Sequence, residues 1–272
     1  MRRNHLTIAA ASCVAAMALT PAIASAKPTI TISGSTSVAP LTGKLLPKYL
    51  AKGQAGYNKA KFLIYQGGSD IGVADVAASR SVMGEASRDP KASDPSGLVW
   101  NKIARDAICL ITNSDNPVSN LTAAQVTAIF TGSTTNWSSA LGGSTKTGPI
   151  SLVVRTAASG TQDAFAKLFG VSTVAASAAQ KASNGLIQQS VKSDPNAIGY
   201  VSEAFTSGTN VAKYKGVSCT LINAKSNAYP AVRNFWYITK GAPTTEAARY
   251  INWVKTSPAA KTIIASGWVP LS

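Results

Sequence analysis

The sequence predicts an α/β fold with largely parallel sheets arranged in two lobes, and three observations support this prediction. The chain has 272 residues, which exceeds the usual size of one domain. Hydrophobic residues make up 45% and charged residues 14% of the sequence, so a core can form and disorder is excluded. Short β-rich runs alternate with helical stretches, which is typical of strands connected by helical crossovers.

The first 26 residues have the pattern of a secretory signal peptide. Two arginines at positions 2 and 3 precede an apolar run over residues 6–19, and Ala24-Ser25-Ala26 supplies the small residues that signal peptidase accepts. The apolar run is too short to span a bilayer. We therefore expect cleavage near Ala26 and a mature protein that is periplasmic or secreted, with the export route, general secretory or twin-arginine, left open.

Composition excludes several classes of enzyme. The formal net charge is +15, and removal of the two signal-peptide arginines leaves +13. The only histidine is His5, which lies in the signal peptide. The mature chain therefore lacks the histidine that Ser-His-Asp triads, Cys-His nucleophiles and His-containing zinc sites require. We expect a protein that is not an enzyme and that holds no metal or cofactor.

Three predicted strands each end in a turn rich in glycine, serine and threonine that opens a helix. The strands cover residues 29–32, 61–65 and 150–155, and the turns are Gly34-Ser35-Thr36-Ser37, Gly67-Gly68-Ser69-Asp70 and Ser159-Gly160-Thr161. The helices extend to residue 50, to residue 79 and over residues 162–169. Such turns gather at one edge of a sheet, where helix N-termini attract anions. Arg155 adds a fixed positive charge. The same residue types also form ordinary helix caps, so both interpretations stay open.

Two cysteines remain after removal of the signal peptide. Cys109 and Cys219 lie in two predicted strands, over residues 107–111 and 217–222. Paired thiols in an oxidising compartment usually form a disulfide, which we predict here. Two buried free thiols are the alternative.

An ordered series of short motifs covers nearly all of the mature chain. The motifs are Gly34-Ser35-Thr36-Ser37-Val38-Ala39-Pro40, Gly68-Ser69-Asp70-Ile71-Gly72, Gly84-Glu85-Ala86-Ser87-Arg88, Leu121-Thr122, Ile129-Phe130-Thr131-Gly132, Trp137, Arg155 with Ser159-Gly160-Thr161, Ala197-Ile198-Gly199-Tyr200-Val201 and Gly267-Trp268-Val269-Pro270-Leu271. In this order they resemble the signatures of the phosphate-binding proteins of bacterial ABC importers, which belong to the type II periplasmic binding protein superfamily.

The resemblance implies two α/β lobes, joined by a hinge, that close over a dehydrated oxyanion in the cleft between them. Residues 27–110 would form the first part of lobe 1, residues 111–222 lobe 2, and residues 223–272 the return to lobe 1. The crossings would lie near Cys109 and Cys219, which makes their disulfide plausible. The ligand oxygens would be bound by Thr36, Ser37, Ser69, Arg155, Ser159, Gly160 and Thr161. The implied partners are inorganic phosphate and a membrane permease, and the protein would be a monomer.

Two positions depart from the pattern of this family. Val82 stands where we align an aspartate that accepts a proton from phosphate, and Ala157 replaces an aspartate two residues after the arginine. Asp70 or Glu85 could supply the missing acceptor, and Asp70 is the preferred candidate, with a helix-cap role as its alternative. Phosphate is thus the first choice of ligand, and sulfate remains open. Arg88 is either a second cation near the cleft or an arginine that is paired with Asp89 or solvated.

One rival interpretation keeps the fold and changes the role. A surface or secreted binding protein for polyanions or host matrix would also carry a strongly basic surface. Nucleic acid is not expected as a partner, because the basic residues are spread along the chain without aromatic residues between them.

Overall fold

The structure is a computed structural model, and it describes residues 26–271. The predicted signal peptide, with His5 and Cys13, therefore lies outside the described residues except for Ala26. Within the described part, no helix is both long enough and apolar enough to cross a membrane.

The first part of the chain builds a three-stranded parallel arrangement with helices. Strand β1 is followed by helix α1, strand β2, helix α2 and strand β3, and β1 pairs in parallel with both β2 and β3. The bounds are Thr29–Gly34 for β1, Ala39–Leu50 for α1, Lys61–Gln66 for β2, Ser69–Ala77 for α2 and Met83–Ala86 for β3. All three strands therefore end at the same edge of the sheet.

The middle of the chain builds a second unit of the same kind. Here strand β8 pairs in parallel with β9 and β10, so these strands also end at a common edge. The elements are β4 Leu98–Thr112, β5 Asn120–Leu121, α3 Ala123–Thr131, β6 Asn136–Trp137, β7 Gly148–Pro149, β8 Ser151–Arg155, α4 Gly160–Phe169, β9 Ala179–Lys181, α5 Asn184–Ser193, β10 Ala197–Ser202, a 3₁₀ turn Glu203–Phe205, β11 Asn210–Tyr214 and α6 Leu221–Lys225.

Two long strands connect the units. The first part of β4 pairs antiparallel with β12 (Val232–Lys240), and its last part pairs with β10, so one ten-stranded sheet runs through both units. After β12, helices α7 (Thr245–Thr256) and α8 (Pro258–Gly267) pack on the first unit. The mixed α/β, two-lobed fold class is thus confirmed.

The structure contains two large hydrophobic cores. One includes Ile32, Leu45 and Phe235, and the other includes Leu110, Phe165 and Tyr200. Along β4 the packing changes from the first core to the second between residues 104 and 107, and along β12 it changes back between residues 232 and 235. The predicted lobe limits after residues 110 and 222 stay a prediction.

The predicted strand over residues 217–222 is wrong. Val217 makes only a single bridge to Tyr214, and the chain then turns into α6, which begins at Leu221. The Thr220 side chain accepts a hydrogen bond from the backbone N–H of Asn223 and so caps this helix. Thr220 therefore starts a helix within the predicted strand, because threonine is a preferred N-cap residue.

The predicted disulfide is confirmed. Cys109 of β4 and Cys219, in the loop before α6, form a bond with the sulfur atoms 1.99 Å apart, and both side chains are buried. The bond closes a loop with a sequence separation of 110 residues.

Removal of this disulfide is expected to lower the free energy of unfolding. The variant C109A/C219A should lose about 3–5 kcal/mol, because the cross-link restricts the unfolded chain over a long loop. Urea unfolding of the variant and the oxidised protein measures this difference. Equal midpoints and slopes would contradict the expectation.

Candidate functional site

The three glycine- and serine-rich turns of the sequence meet in one buried cluster. Strands β1, β2 and β3 end on one side of it, and β8, β9 and β10 end on the other. The Ser37 Oγ and Thr161 Oγ1 atoms lie 3.0 Å apart, which joins the turn after β1 to the start of α4. The backbone N–H of Asp70 donates to the carbonyl of Ala158 at 3.1 Å, which joins the second turn to the third.

Close packing explains the glycine at the start of α4. A Cβ atom at Gly160 would collide with the Ser69 hydroxyl, so no larger residue fits where α2 and α4 approach. Ser69 in turn accepts a hydrogen bond from the backbone N–H of Ser87, at 3.0 Å. Ser159 caps α4, because its Oγ accepts from the N–H groups of Thr161 and Gln162.

Arg155 is buried at the end of β8 and points at the cluster. Its Nη1 lies 3.4 Å from Thr161 Oγ1, whereas its Nε and Nη2 donate to the carbonyls of Lys181 and Ala182, at 3.2 and 2.8 Å. Burial, with the nearby charge of Arg233, lowers the pKa of Arg155 to about 10. The position of the absent aspartate, Ala157, is exposed. Two backbone carbonyls therefore orient this guanidinium.

A second arginine reaches the same cluster, and sequence reasoning missed it. Arg233 of β12 is buried and donates from Nη1 to Thr161 Oγ1 at 2.8 Å and from Nη2 to Ser37 Oγ at 2.9 Å. Its Nη1 also donates to the carbonyl of Ser87 at 3.3 Å. Arg155 is thus one of two arginines whose guanidinium groups reach the cluster.

Arg233 is paired with a carboxylate that lies opposite it in the sheet. Asp106 of β4 is its register partner, and Asp106 Oδ2 accepts from Arg233 Nη2 at 2.8 Å and from Nε at 3.1 Å. Ser202 Oγ donates to the same oxygen at 2.9 Å. Burial raises the pKa of Asp106 and lowers that of Arg233, and their mutual attraction opposes both shifts. No sequence signal singles out this pair, because both strands carry other polar and charged residues, such as Lys102 in β4 and Asn234 in β12.

Asn184 is a further residue that sequence reasoning missed. At the start of α5, its Nδ2 donates to Thr36 Oγ1 at 3.1 Å and to Ser37 Oγ at 2.8 Å. Its Oδ1 accepts from the backbone N–H of Ser202 at 3.1 Å, which fixes the orientation of the amide. Asparagine is common at helix starts, so only the fold distinguishes this one.

Asp70, the preferred acceptor candidate, points away from the cluster. Its Oδ1 accepts from Arg88 Nε at 2.8 Å, and its Oδ2 lies 3.4 Å from Lys91 Nζ. Arg88 is buried and binds both carboxylate oxygens of Asp94, at 2.7 and 2.9 Å. Arg88 is therefore paired, but its carboxylate partners are Asp94 and Asp70, and it contacts the expected partner Asp89 through the backbone carbonyl.

This ionic network also crosses between the two cores. Lys91 Nζ lies 2.5 Å from Asp163 Oδ2, and Arg88 Nε lies 3.3 Å from the same oxygen. Asp163 belongs to the first turn of α4, whose Ala164 and Phe165 pack in the second core. A cavity of about 420 Å³ lies beside the network and is lined in part by Arg88, Asp163 and Arg233.

The interpretation of Val82 as the acceptor position is wrong. Val82 precedes β3 and donates its backbone N–H to Thr31 Oγ1, whereas the cluster lies at the other end of β3, at Ser87. A strand of four residues separates the two ends by about 13 Å. A carboxylate at position 82 would therefore not reach the ligand.

Glu85, the other acceptor candidate, faces the first core. Its Oε1 accepts from Thr42 Oγ1, which also lies 2.7 Å from the Tyr237 hydroxyl. The side chain is completely buried, and this burial raises the pKa of Glu85 to about 8. Glu85 is thus a neutral, buried carboxyl group at neutral pH and takes no part in the cluster.

The substitution Glu85→Gln is expected to change how stability depends on pH. Between the unfolded pKa of 4.5 and the folded pKa of about 8, the folded protein binds the additional proton, so its stability falls as pH rises. The slope approaches about 1.4 kcal/mol per pH unit for one such group. The glutamine variant lacks this pH-dependent contribution. Its free energy of unfolding should therefore rise relative to that of the wild type from pH 5 to pH 8. Urea unfolding across this range measures it.

The matched control for this variant is Glu246→Gln, at a partly exposed glutamate paired with Arg249. Its stability should follow the wild-type pH dependence. Parallel curves for wild type and Glu85→Gln would contradict the prediction.

The cluster as a whole is suited to a small tetrahedral oxyanion. Two guanidinium groups, the hydroxyls of Thr36, Ser37 and Thr161 and the N-terminus of α4 converge on it, in a region removed from water. Within residues 26–271, Asp106 is the acidic residue that contacts one of these donor groups, because it pairs with Arg233. Such a receptor between two α/β units defines the class of solute-binding proteins.

Comparison with known proteins places the chain within this class. A family model described as a PBP superfamily domain matches residues 20–257. A solved structure from Clostridium perfringens, described as a phosphate ABC transporter substrate-binding protein with bound phosphate, is 30% identical with a TM-score of 0.83, and the match covers 90% of this chain and 100% of that one. The chain belongs to the PBP superfamily, and its predicted resemblance to phosphate-binding proteins is confirmed.

Two other similar proteins carry related names. An ABC-type phosphate transport receptor from Vibrio cholerae is 27% identical with a TM-score of 0.70, covering 89% of this chain and 100% of that one. Phosphate-binding protein PstS of Bacillus subtilis (strain 168) is 26% identical over 249 residues, which are 89% of this chain and 81% of that protein. The family of these similar proteins consists of transport receptors and is not a family of enzymes.

Proposed function

We propose that this protein captures inorganic phosphate outside the cytoplasm and delivers it to the membrane permease of an ABC importer. The observation that carries the proposal is the buried donor cluster, in which Arg155 and Arg233 flank Thr161 between two cores. The names of the similar proteins support phosphate as the ligand.

The ligand would be bound by groups from both cores. The proposed binding residues are Thr36, Ser37, Ser69, Arg155, Ser159, Gly160 and Thr161, to which Arg233 and Asn184 are added. In this arrangement Arg155, Arg233 and Asp106 leave one net positive charge beside the anion. Closure of the lobes would exclude water, and the lower local dielectric would strengthen each of these contacts.

Selectivity for phosphate over sulfate would depend on hydroxyl groups. At neutral pH phosphate keeps a proton, which needs an acceptor, whereas sulfate has none. A threonine hydroxyl can donate or accept, and Thr36 Oγ1, whose donor among the described residues is Asn184, keeps a lone pair for the P–O–H group without a carboxylate in contact. We therefore expect phosphate to bind more tightly than sulfate.

The remaining parts of the proposal concern location and partners. The mature protein would begin after Ala26, function as a monomer in the periplasm or outside the cell, and transport its ligand without catalysing a reaction. Incubation with p-nitrophenyl phosphate should yield no product beyond that of buffer. Steady hydrolysis that is proportional to protein concentration would contradict this last part.

Thermal unfolding in the presence of anions tests the proposed ligand. A ligand that binds only the folded state raises the melting temperature progressively with its concentration. Phosphate should do so at concentrations where sulfate and chloride of equal ionic strength do not. Equal shifts with phosphate and sulfate would indicate a general oxyanion receptor, and no shift with phosphate would refute the proposal.

A further inference from the structure

An apolar groove lies on a part of the surface that shares no residue with the candidate site. It has a volume of about 250 Å³ and lies between helices α7 and α8 and the last residues of the chain. Its apolar lining comes from Ile103, Val254, Ile264, Ala265, Pro270 and Leu271. Two lysines, Lys255 of α7 and Lys261 of α8, complete the lining.

Further lysines surround this groove. Lys225 of α6 donates from Nζ to the carbonyl of Ala265 at 2.6 Å. Lys44 of α1 places its Nζ 5.2 Å from the centre of the Trp268 ring, and α1 packs against α8. Lys48 follows one helical turn later on the exposed face of α1. Lys225, Lys255 and Lys261 thus place ammonium groups from three helices at the groove, and α1, which packs against α8, carries the other two lysines.

Among the described residues, no carboxylate neutralises these lysines. Throughout residues 26–271, none of Lys44, Lys48, Lys225, Lys255 and Lys261 forms an ion pair within 4.0 Å. Three acidic residues of neighbouring elements lie at other sites. Glu246 pairs with Arg249, and Glu203 and Asp106 line a separate small cavity with Trp268.

We propose that this basic, grooved face docks on a membrane surface that contains anionic phospholipid. Charge complementarity identifies the partner, because unpaired ammonium groups attract the phosphodiester of a lipid headgroup. The groove distinguishes a lipid from other anions. Its apolar lining can bury part of a hydrocarbon chain, whereas a free phosphate ion or a polyanionic polymer would gain nothing from it.

Binding to vesicles of defined composition tests the electrostatic part. Sedimentation at about 0.1 M salt should show at least tenfold stronger binding to vesicles of phosphatidylcholine with phosphatidylglycerol than to phosphatidylcholine alone. The variant K255E/K261E should lose at least tenfold of this affinity. Equal binding to the two vesicle types would overturn the proposal.

The matched control reverses two exposed lysines that lie elsewhere. K192E/K213E changes the net charge by the same amount, at α5 and β11 of the second unit. It should keep most of the vesicle affinity, because it leaves the basic face intact. An equal loss in both variants would show that only the total charge matters and would overturn the docking face.

A soluble lipid tests the groove itself. Wild-type protein should bind dihexanoyl phosphatidylglycerol at least tenfold more tightly than glycerophosphoglycerol, its deacylated form, which has the same phosphodiester without chains. The substitution Ala265→Trp should remove this difference by filling the groove, while a native circular dichroism spectrum confirms folding. Equal affinities of the wild type for the two ligands would overturn the lipid assignment, whether or not the tryptophan variant folds.

Discussion

Replacement of Arg155 by alanine is expected to weaken phosphate binding by about 30-fold or more. Loss of one partner from a buried, charged hydrogen-bonded contact costs about 2–5 kcal/mol of binding free energy. Arg155 is buried, and its guanidinium is held at the cluster by the carbonyls of Lys181 and Ala182. Isothermal titration of the variant with phosphate measures the loss, with a native circular dichroism spectrum as the check on folding.

Two further variants make this result specific. Arg155→Lys keeps the charge but loses the forked donor geometry, so its affinity should lie between those of wild type and alanine variant. Arg80→Ala removes an exposed arginine that pairs with Asp75, and its phosphate affinity should equal that of wild type. Unchanged affinity in the folded Arg155→Ala variant would refute the site assignment.

Asp106→Asn is expected to reduce the free energy of unfolding by about 3–5 kcal/mol. The change keeps the shape of the side chain but leaves the buried Arg233 guanidinium without its counter-charge. Chemical unfolding in phosphate-free buffer measures the loss. The double variant D106N/R233Q should recover a large part of it, because the uncompensated charge is also removed.

The control for this experiment is Asp75→Asn, which breaks the exposed pair with Arg80. Its effect should stay within about 1 kcal/mol, the usual range for surface ion pairs. An Asp106→Asn variant as stable as this control would show that Arg233 does not depend on Asp106.

Much of the candidate site could be predicted because its residues lie in turns that short stretches of sequence identify. Thr36, Ser37, Ser69 and Thr161 all follow strand ends, where parallel strands place their turns at one edge. The helix-cap alternative was also correct for Ser159, so the same turn caps α4 and belongs to the proposed anion site. Local patterns of strand, turn and helix carry this information in the sequence.

The rest of the site depends on pairings between distant parts of the chain. Arg233 meets Thr161 only because β12 returns beside β4 and places Arg233 opposite Asp106. The assignment of Val82 failed for a related reason. The sequence shows the glycine motif around Gly84 but does not show which end of β3 lies at the cluster. Asp70 was expected beside the ligand, but Arg88 and Lys91 attract its carboxylate elsewhere.

The central claim is that the Arg155–Thr161–Arg233 cluster holds phosphate, and calorimetric titration of ligand-free protein tests it most directly. The mature protein, stripped of bound ligand by unfolding and refolding, would be titrated with phosphate and then with sulfate. We expect one phosphate to bind per chain at micromolar or lower concentration, sulfate to bind more weakly, and Arg233→Gln to lose the phosphate signal. Binding of neither anion, or undiminished phosphate binding in a folded Arg233→Gln variant, would contradict it.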